Sequence, residues 1–300
     1  MRWILILVGF TLIVSNASGL NIVVTFSNLK EDVKLIAPND TVISITKPGV
    51  DPHSYQLTPE DVATLKRADV IISTAHAPFE IKIRELIESG EIKAELIEIP
   101  KIPRIKILKN PATGLPNLHM PIYDPHNYEV FLRFVAEKIS QLNPNENYRD
   151  RAERVCKKID EIVANTKKLN AIAVADLPVV QYAVSWLNVS IRYLLIKEPG
   201  LPALPEDIQA IEKAMNDIQL VVVTDTNSKA SQMLRNLAEE KGVPILVVPS
   251  PIAEESILEK LKYISEEVSN LKVQKAEKGP DFGVLSALLG LIVAVGLRKL

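Results

Sequence analysis

Between residues 20 and 271, short β-branched apolar runs alternate with longer stretches whose apolar residues recur three and four apart. The runs at 21–26, 41–46, 69–74 and 94–99 read as strands, and the stretches at 29–37, 59–68, 79–89 and 128–142 as amphipathic helices. The same grammar then repeats, with strands at 171–175, 190–196, 220–224 and 244–248 and helices at 178–187, 205–216, 228–241 and 254–271. Alternation at this spacing predicts parallel sheets covered by helices on both faces. Between the halves one helical pattern runs from Glu146 to about Leu169, its stripe made by Ala152, Val155, Cys156, Ile159, Ile162 and Val163. A helix of about 24 residues is roughly 36 Å long. The expected architecture is therefore α/β: two parallel-sheet lobes, 20–143 and 171–271, joined by one long rigid linking helix at 144–170. Lobes on such a strut should move little when a ligand binds.

The two ends follow a different pattern. Residues 3–14 are apolar after Arg2, and Ala17-Ser18-Gly19 offers small residues for cleavage, so 1–19 reads as an export signal. No cysteine follows the apolar segment, which excludes a bacterial-type lipid anchor. Residues 272–281 read as a polar tether. The uncharged, mostly apolar run 282–297, followed by Arg298-Lys299, reads as a C-terminal transmembrane anchor with its basic end inside. This places the lobes on the extracellular face of the cell membrane.

Composition adds three constraints. The chain is 47% hydrophobic and 24% charged, enough apolar content for a full core. A net charge of −2 makes no case for nucleic acid. The only cysteine, Cys156, has no internal disulfide partner and falls on an apolar stripe, where it reads as a small core residue.

Chemistry concentrates at strand ends. His53 lies in a loop after the second strand, ahead of a helix whose start is marked by Thr58, Pro59, Glu60 and Asp61. His76 follows the third strand, His119 lies in a long loop, and His126 begins a helix near Asp124. The second half places carboxylates at corresponding points: Asp176, Asp225, and Glu254 with Glu255. Imidazoles from one lobe and carboxylates from the other, all at the carboxyl edges of their sheets, would converge in a cleft and suit a divalent ion. Each carboxylate has a plainer reading as a helix cap.

Asp51-Pro52-His53-Ser54-Tyr55 followed by Thr58-Pro59-Glu60-Asp61, Glu80 past the third strand, and Asn117-Leu118-His119 leading to Asp124-Pro125-His126-Asn127 resemble segments of the cluster A-I solute-binding proteins, the metal receptors of ATP-driven zinc and manganese importers. The resemblance covers the exported domain. It implies a metal site of His53, His119, Asp176 and Glu255, and a divalent ion as ligand (Zn²⁺ or Mn²⁺, with Fe²⁺ a further option). It also implies a monomeric receptor rather than an enzyme, with an ABC permease and its cytoplasmic ATPase as partners. His76, outside the segments that carry the resemblance, is expected to support the site from outside the ligand set. Two other classes fit the same residues: a metal-dependent surface hydrolase, and a surface receptor or adhesion protein that kept the scaffold without the metal.

Overall fold

The computed structural model describes residues 19–48, 50 and 53–271. The expected export signal (apart from Gly19), the tether and the C-terminal anchor lie outside the described residues. No helix among the described residues is long and apolar enough to cross a membrane.

The first sheet is built from β1 (Asn21–Val24), β2 (Thr41–Ser44), β3 (Val70–Ser73) and β4 (Glu95–Glu98), all parallel, in the order β2-β1-β3-β4. Its helices are α1 (Ser27–Ile36), α2 (Pro59–Leu65), α3 (Pro78–Glu88) and α4 (Pro125–Leu142). After α5 (Tyr148–Asn165) the second sheet follows. It consists of β5 (Ala171–Ala175), β6 (Val189–Leu194), β7 (Leu220–Thr224) and β8 (Ile245–Val248), again parallel and in the equivalent order β6-β5-β7-β8. α6 (Val180–Ser185), α7 (Pro205–Ala214), α8 (Lys229–Lys241) and α9 (Ile257–Asn270) cover it. The central strands are apolar throughout because both faces are covered: Val70 to Ile72 and Leu220 to Val223 are all buried. β2, at an edge, alternates instead, with Val42 buried and Ile43 exposed.

Among the described residues, each predicted strand and helix forms, with ends displaced by a few residues. The linking element is shorter than the expected span 146–169. α5 has 18 residues, about 27 Å, and stops at Asn165. Thr166 turns extended there; its hydroxyl bonds the Ile162 carbonyl and the Ser265 hydroxyl of α9. Leu169 then donates its amide to Leu187, starting the approach to β5. Cys156 is buried on α5, as its place on the stripe predicts.

Both sheets reverse strand order beside their first strand, β1 in one and β5 in the other. In open parallel sheets this is where a crevice opens beyond the carboxyl ends of the strands. Several side-chain bonds hold the halves together there. The Tyr182 hydroxyl donates to the Asn117 carbonyl (2.6 Å) and accepts from the Leu108 amide (2.9 Å), the Tyr123 hydroxyl donates to Pro249 (2.8 Å), and Ser185 donates to Asp124 (2.7 Å).

Candidate metal centre

Three of the four histidines meet in this crevice. One ligand nitrogen each from His53, His76 and His119 lie within 4.8 Å of one another. Ring centroids are separated by 5.5 Å (His53 to His76), 5.2 Å (His76 to His119) and 6.4 Å (His53 to His119).

His76 is positioned by Glu80, in the first turn of α3. This buried carboxylate accepts six hydrogen bonds, from the hydroxyls of Thr25, Ser73 and Thr74 and the amides of Thr74, His76 and Ala77. Burial raises its pKa, but the bonds from Thr25, Ala77 and Thr74 outweigh this and hold it below the ordinary glutamate value. Glu80 is therefore ionised. The Thr74 hydroxyl spends its single proton on Glu80 (2.7 Å), so toward His76 Nδ1, 3.0 Å away, it can only accept. That fixes the tautomer: Nδ1 carries the hydrogen and Nε2 presents its lone pair to the crevice. Between them Ala75 sits at φ 61°, a left-handed conformation that side chains resist, and its amide bonds the Ser73 hydroxyl.

His119 is fixed by the same logic. Asn117 donates its amide hydrogens across the lobe boundary to the Pro178 carbonyl (2.8 Å) and to Gln181 (2.9 Å), which leaves its oxygen facing His119. That oxygen accepts from the His119 backbone amide (3.1 Å) and from Nδ1 (3.0 Å). Again Nε2 is left for a metal. Met120, next in the chain, is also left-handed at φ 50°.

His53 precedes a firmly held segment. The Tyr55 hydroxyl donates to Asp61 (2.7 Å), its ring packs edge-on against Phe79, and Thr58 and Asp61 form a reciprocal capping box at the start of α2.

The electrostatics suit neutral imidazole ligands. Burial pulls His119 down to about 4, with the His76 and His53 charges adding to it. Burial also lowers His76, partly opposed by Glu80. Both rings are uncharged near neutral pH, the form that binds metal. Beside the cluster lies a cavity of about 280 Å³ whose wall is mostly apolar: Phe26, Met120, Leu177, Val179, Pro199 and Ile252.

The four residues expected as a ligand set do not form one group. His53 and His119 come together with His76; Asp176 and Glu255 are not members of that group. The Asp176 side chain is fully buried, and its Oδ2 accepts from the Thr224 amide, the Thr224 hydroxyl and the Ser231 hydroxyl. Burial raises its pKa against those bonds. It is Leu177, one residue on, that lines the cavity. Glu255 is exposed, just before Ser256, which caps α9. Of the remaining strand-end acids, Asp225 accepts from the Ser250 amide, and Glu254 is exposed. His126 is exposed in the first turn of α4, which Asp124 caps. The member of the cluster that the sequence alignment left out is His76. Its one sequence signal is its place: it follows β3 as His53 follows β2.

Two α/β lobes of like topology, with a cluster of three histidines in the crevice, have the architecture of a two-lobed solute-binding protein. The family model of the periplasmic zinc-uptake complex component A (ZnuA) matches residues 22–273, and the chain belongs to that family. Among curated relatives, the iron-binding protein YfeA of Yersinia pestis is 22% identical over 277 residues, covering 88% of this chain and 81% of its own. Among solved structures, the solute-binding protein FpvC of Pseudomonas aeruginosa in complex with Mn²⁺ aligns with a TM-score of 0.68 at 17% identity, covering 84% of this chain and 97% of that one. The Cd-bound periplasmic metal-binding protein of Candidatus Liberibacter asiaticus aligns with a TM-score of 0.63 at 18% identity, covering 83% and 98%.

Proposed function

We propose that this chain is the extracytoplasmic receptor of an ABC-type metal importer. It captures a divalent ion on His53, His76 and His119 and passes it to a membrane permease driven by a cytoplasmic ATPase. The observation that carries this is the convergence of three imidazoles, two of them held by hydrogen bonds at Nδ1 that leave Nε2 as the ligand atom. A histidine-rich set favours borderline ions, Zn²⁺ before Mn²⁺. Relatives described as binding iron or manganese keep Fe²⁺ and Mn²⁺ in view. The apolar run 282–297 with its basic end supplies, on this reading, a tether that keeps the receptor near its permease at raised effective concentration.

Because the ion binds the folded state, Zn²⁺ at 100 times its Kd should stabilise the chain by about 2.7 kcal/mol. His53→Ala, His76→Ala and His119→Ala should each remove most of that gain, measured by thermal unfolding. His126→Ala should leave it intact. No stabilisation by Zn²⁺, Mn²⁺ or Fe²⁺ would sink the reading.

A further inference from the structure

The histidine cluster comes wholly from the first half of the chain, yet one carboxylate of the second half approaches one of its members, His119. Glu198, in the loop after β6, places Oε2 3.5 Å from His119 Nε2. That nitrogen is the one Asn117 leaves for a metal. Donors on a tetrahedral ion, each at roughly 2 Å, lie about 3.3 Å apart. An ion on His119 Nε2 is thus within reach of this carboxylate oxygen, although Glu198 stands outside the group of three.

The loop is built to hold Glu198 there. Asn110, from the first lobe, donates its side-chain amide to the Lys197 carbonyl (2.9 Å) and pins the backbone just before it. The Lys197 ammonium is occupied by Asp207 (2.7 Å). The Leu201 amide closes a turn onto the Glu198 carbonyl, and Gly200 takes the left-handed φ of 86° that the turn requires. Pro199 lies on the cavity wall beside it. The Glu198 side chain itself is 41% exposed, so it keeps contact with solvent and can follow an arriving ion without first being desolvated. Asp176, the carboxylate that the strand-end pattern favours for this duty, has Oδ2 committed to Thr224 and Ser231.

We infer that Glu198 is a metal ligand, the second lobe's oxygen donor, which closes onto an ion already held by the three histidines. The inference rests on the reading of those histidines as primary ligands. Its consequence is a site with three nitrogen donors and one oxygen donor, and one negative charge.

The test uses the full chain and two ions, Zn²⁺ for affinity and Co²⁺ for coordination. Glu198→Gln and Glu198→Ala should weaken Zn²⁺ by about 10- to 100-fold in a chelator competition. Both should also change the visible d–d spectrum of bound Co²⁺, with Glu198→Asp intermediate. Glu206→Gln, at an exposed position on α7, is the control and should behave as wild type. Thermal unfolding of the metal-free variants should match wild type. Zn²⁺ affinity within twofold of wild type would overturn the inference. So would weakened Zn²⁺ binding with an unchanged Co²⁺ spectrum, since Glu198 would then act on the charge of His119 and not on the ion. If the histidine variants bind as wild type does, the reading of the site itself falls. If they lose binding while Glu198 variants keep it, only the role of Glu198 falls.

Discussion

A histidine becomes a ligand when something else occupies its other nitrogen. Here Thr74 and Asn117 occupy Nδ1 of His76 and His119, the proposed ligands, and each is in turn held by a group that leaves it no alternative. Thr74→Val keeps the shape but removes the acceptor for His76 Nδ1. Zn²⁺ affinity should fall about 10- to 100-fold, as for other lost outer partners of metal ligands, and chelator competition measures it. An unchanged affinity would mean that His76 turns its other nitrogen to the ion or does not bind it. At this scale the sequence was half legible. His53 and His119 stand in recognisable segments. His76 has the same strand-end placement but no such segment around it. Asp176 reads as a ligand because nothing nearby in the chain claims its carboxylate. Thr224 and Ser231, 48 and 55 residues away, claim its Oδ2 only once β7 and α8 pack beside it, and its buried Oδ1 keeps no hydrogen-bond partner among the described residues.

The junction of α1, α4 and α9 shows how whole elements are locked. Asp32 of α1 is buried, and its Oδ1 accepts from the Tyr128 hydroxyl of α4 (2.6 Å) and the Ile257 amide opening α9 (2.7 Å). Burial pushes its pKa up from 3.8 to about 6, against those two bonds and the nearby Lys260 charge. An acid raised in this way stabilises the fold fully below its unfolded value and loses that contribution as pH rises through about 6. Asp32→Asn keeps an acceptor oxygen and cannot ionise. Compared with wild type in urea unfolding, it should gain on the order of 3 kcal/mol between pH 4 and pH 7. A difference independent of pH would show that Asp32 keeps one ionisation state throughout. Strands and helices themselves were easily read, because their apolar periods are unbroken. The end of α5 was not: residues 164–168 carry no Pro or Gly to mark a stop, while Thr166 is held extended by a bond to Ser265, 99 residues further on.

Across the molecule, the lobes share one continuous apolar core running from Leu20 to Val268. Polar bonds from Asn117, Tyr123, Tyr182 and Asp124 cross between them. Opening them as two rigid bodies would expose that core and break those bonds together. The radius of gyration in small-angle scattering should therefore be the same with and without saturating Zn²⁺. A clear contraction on binding would show that the lobes swing shut and that the crossing bonds yield.

The like strand order of the two sheets carries a consequence of its own. One folding plan is used twice in succession, yet every histidine of the chain belongs to the first use. The second offers the cavity largely aliphatic side chains from the matching strand ends: Leu177 after β5, Pro199 after β6, Ile252 after β8. On the proposed function, the two halves divide the labour, one as catcher and one as cover. The cover can drift in shape and polarity while the catcher keeps its grip, so selectivity in such a receptor can be retuned from the half that holds no histidine.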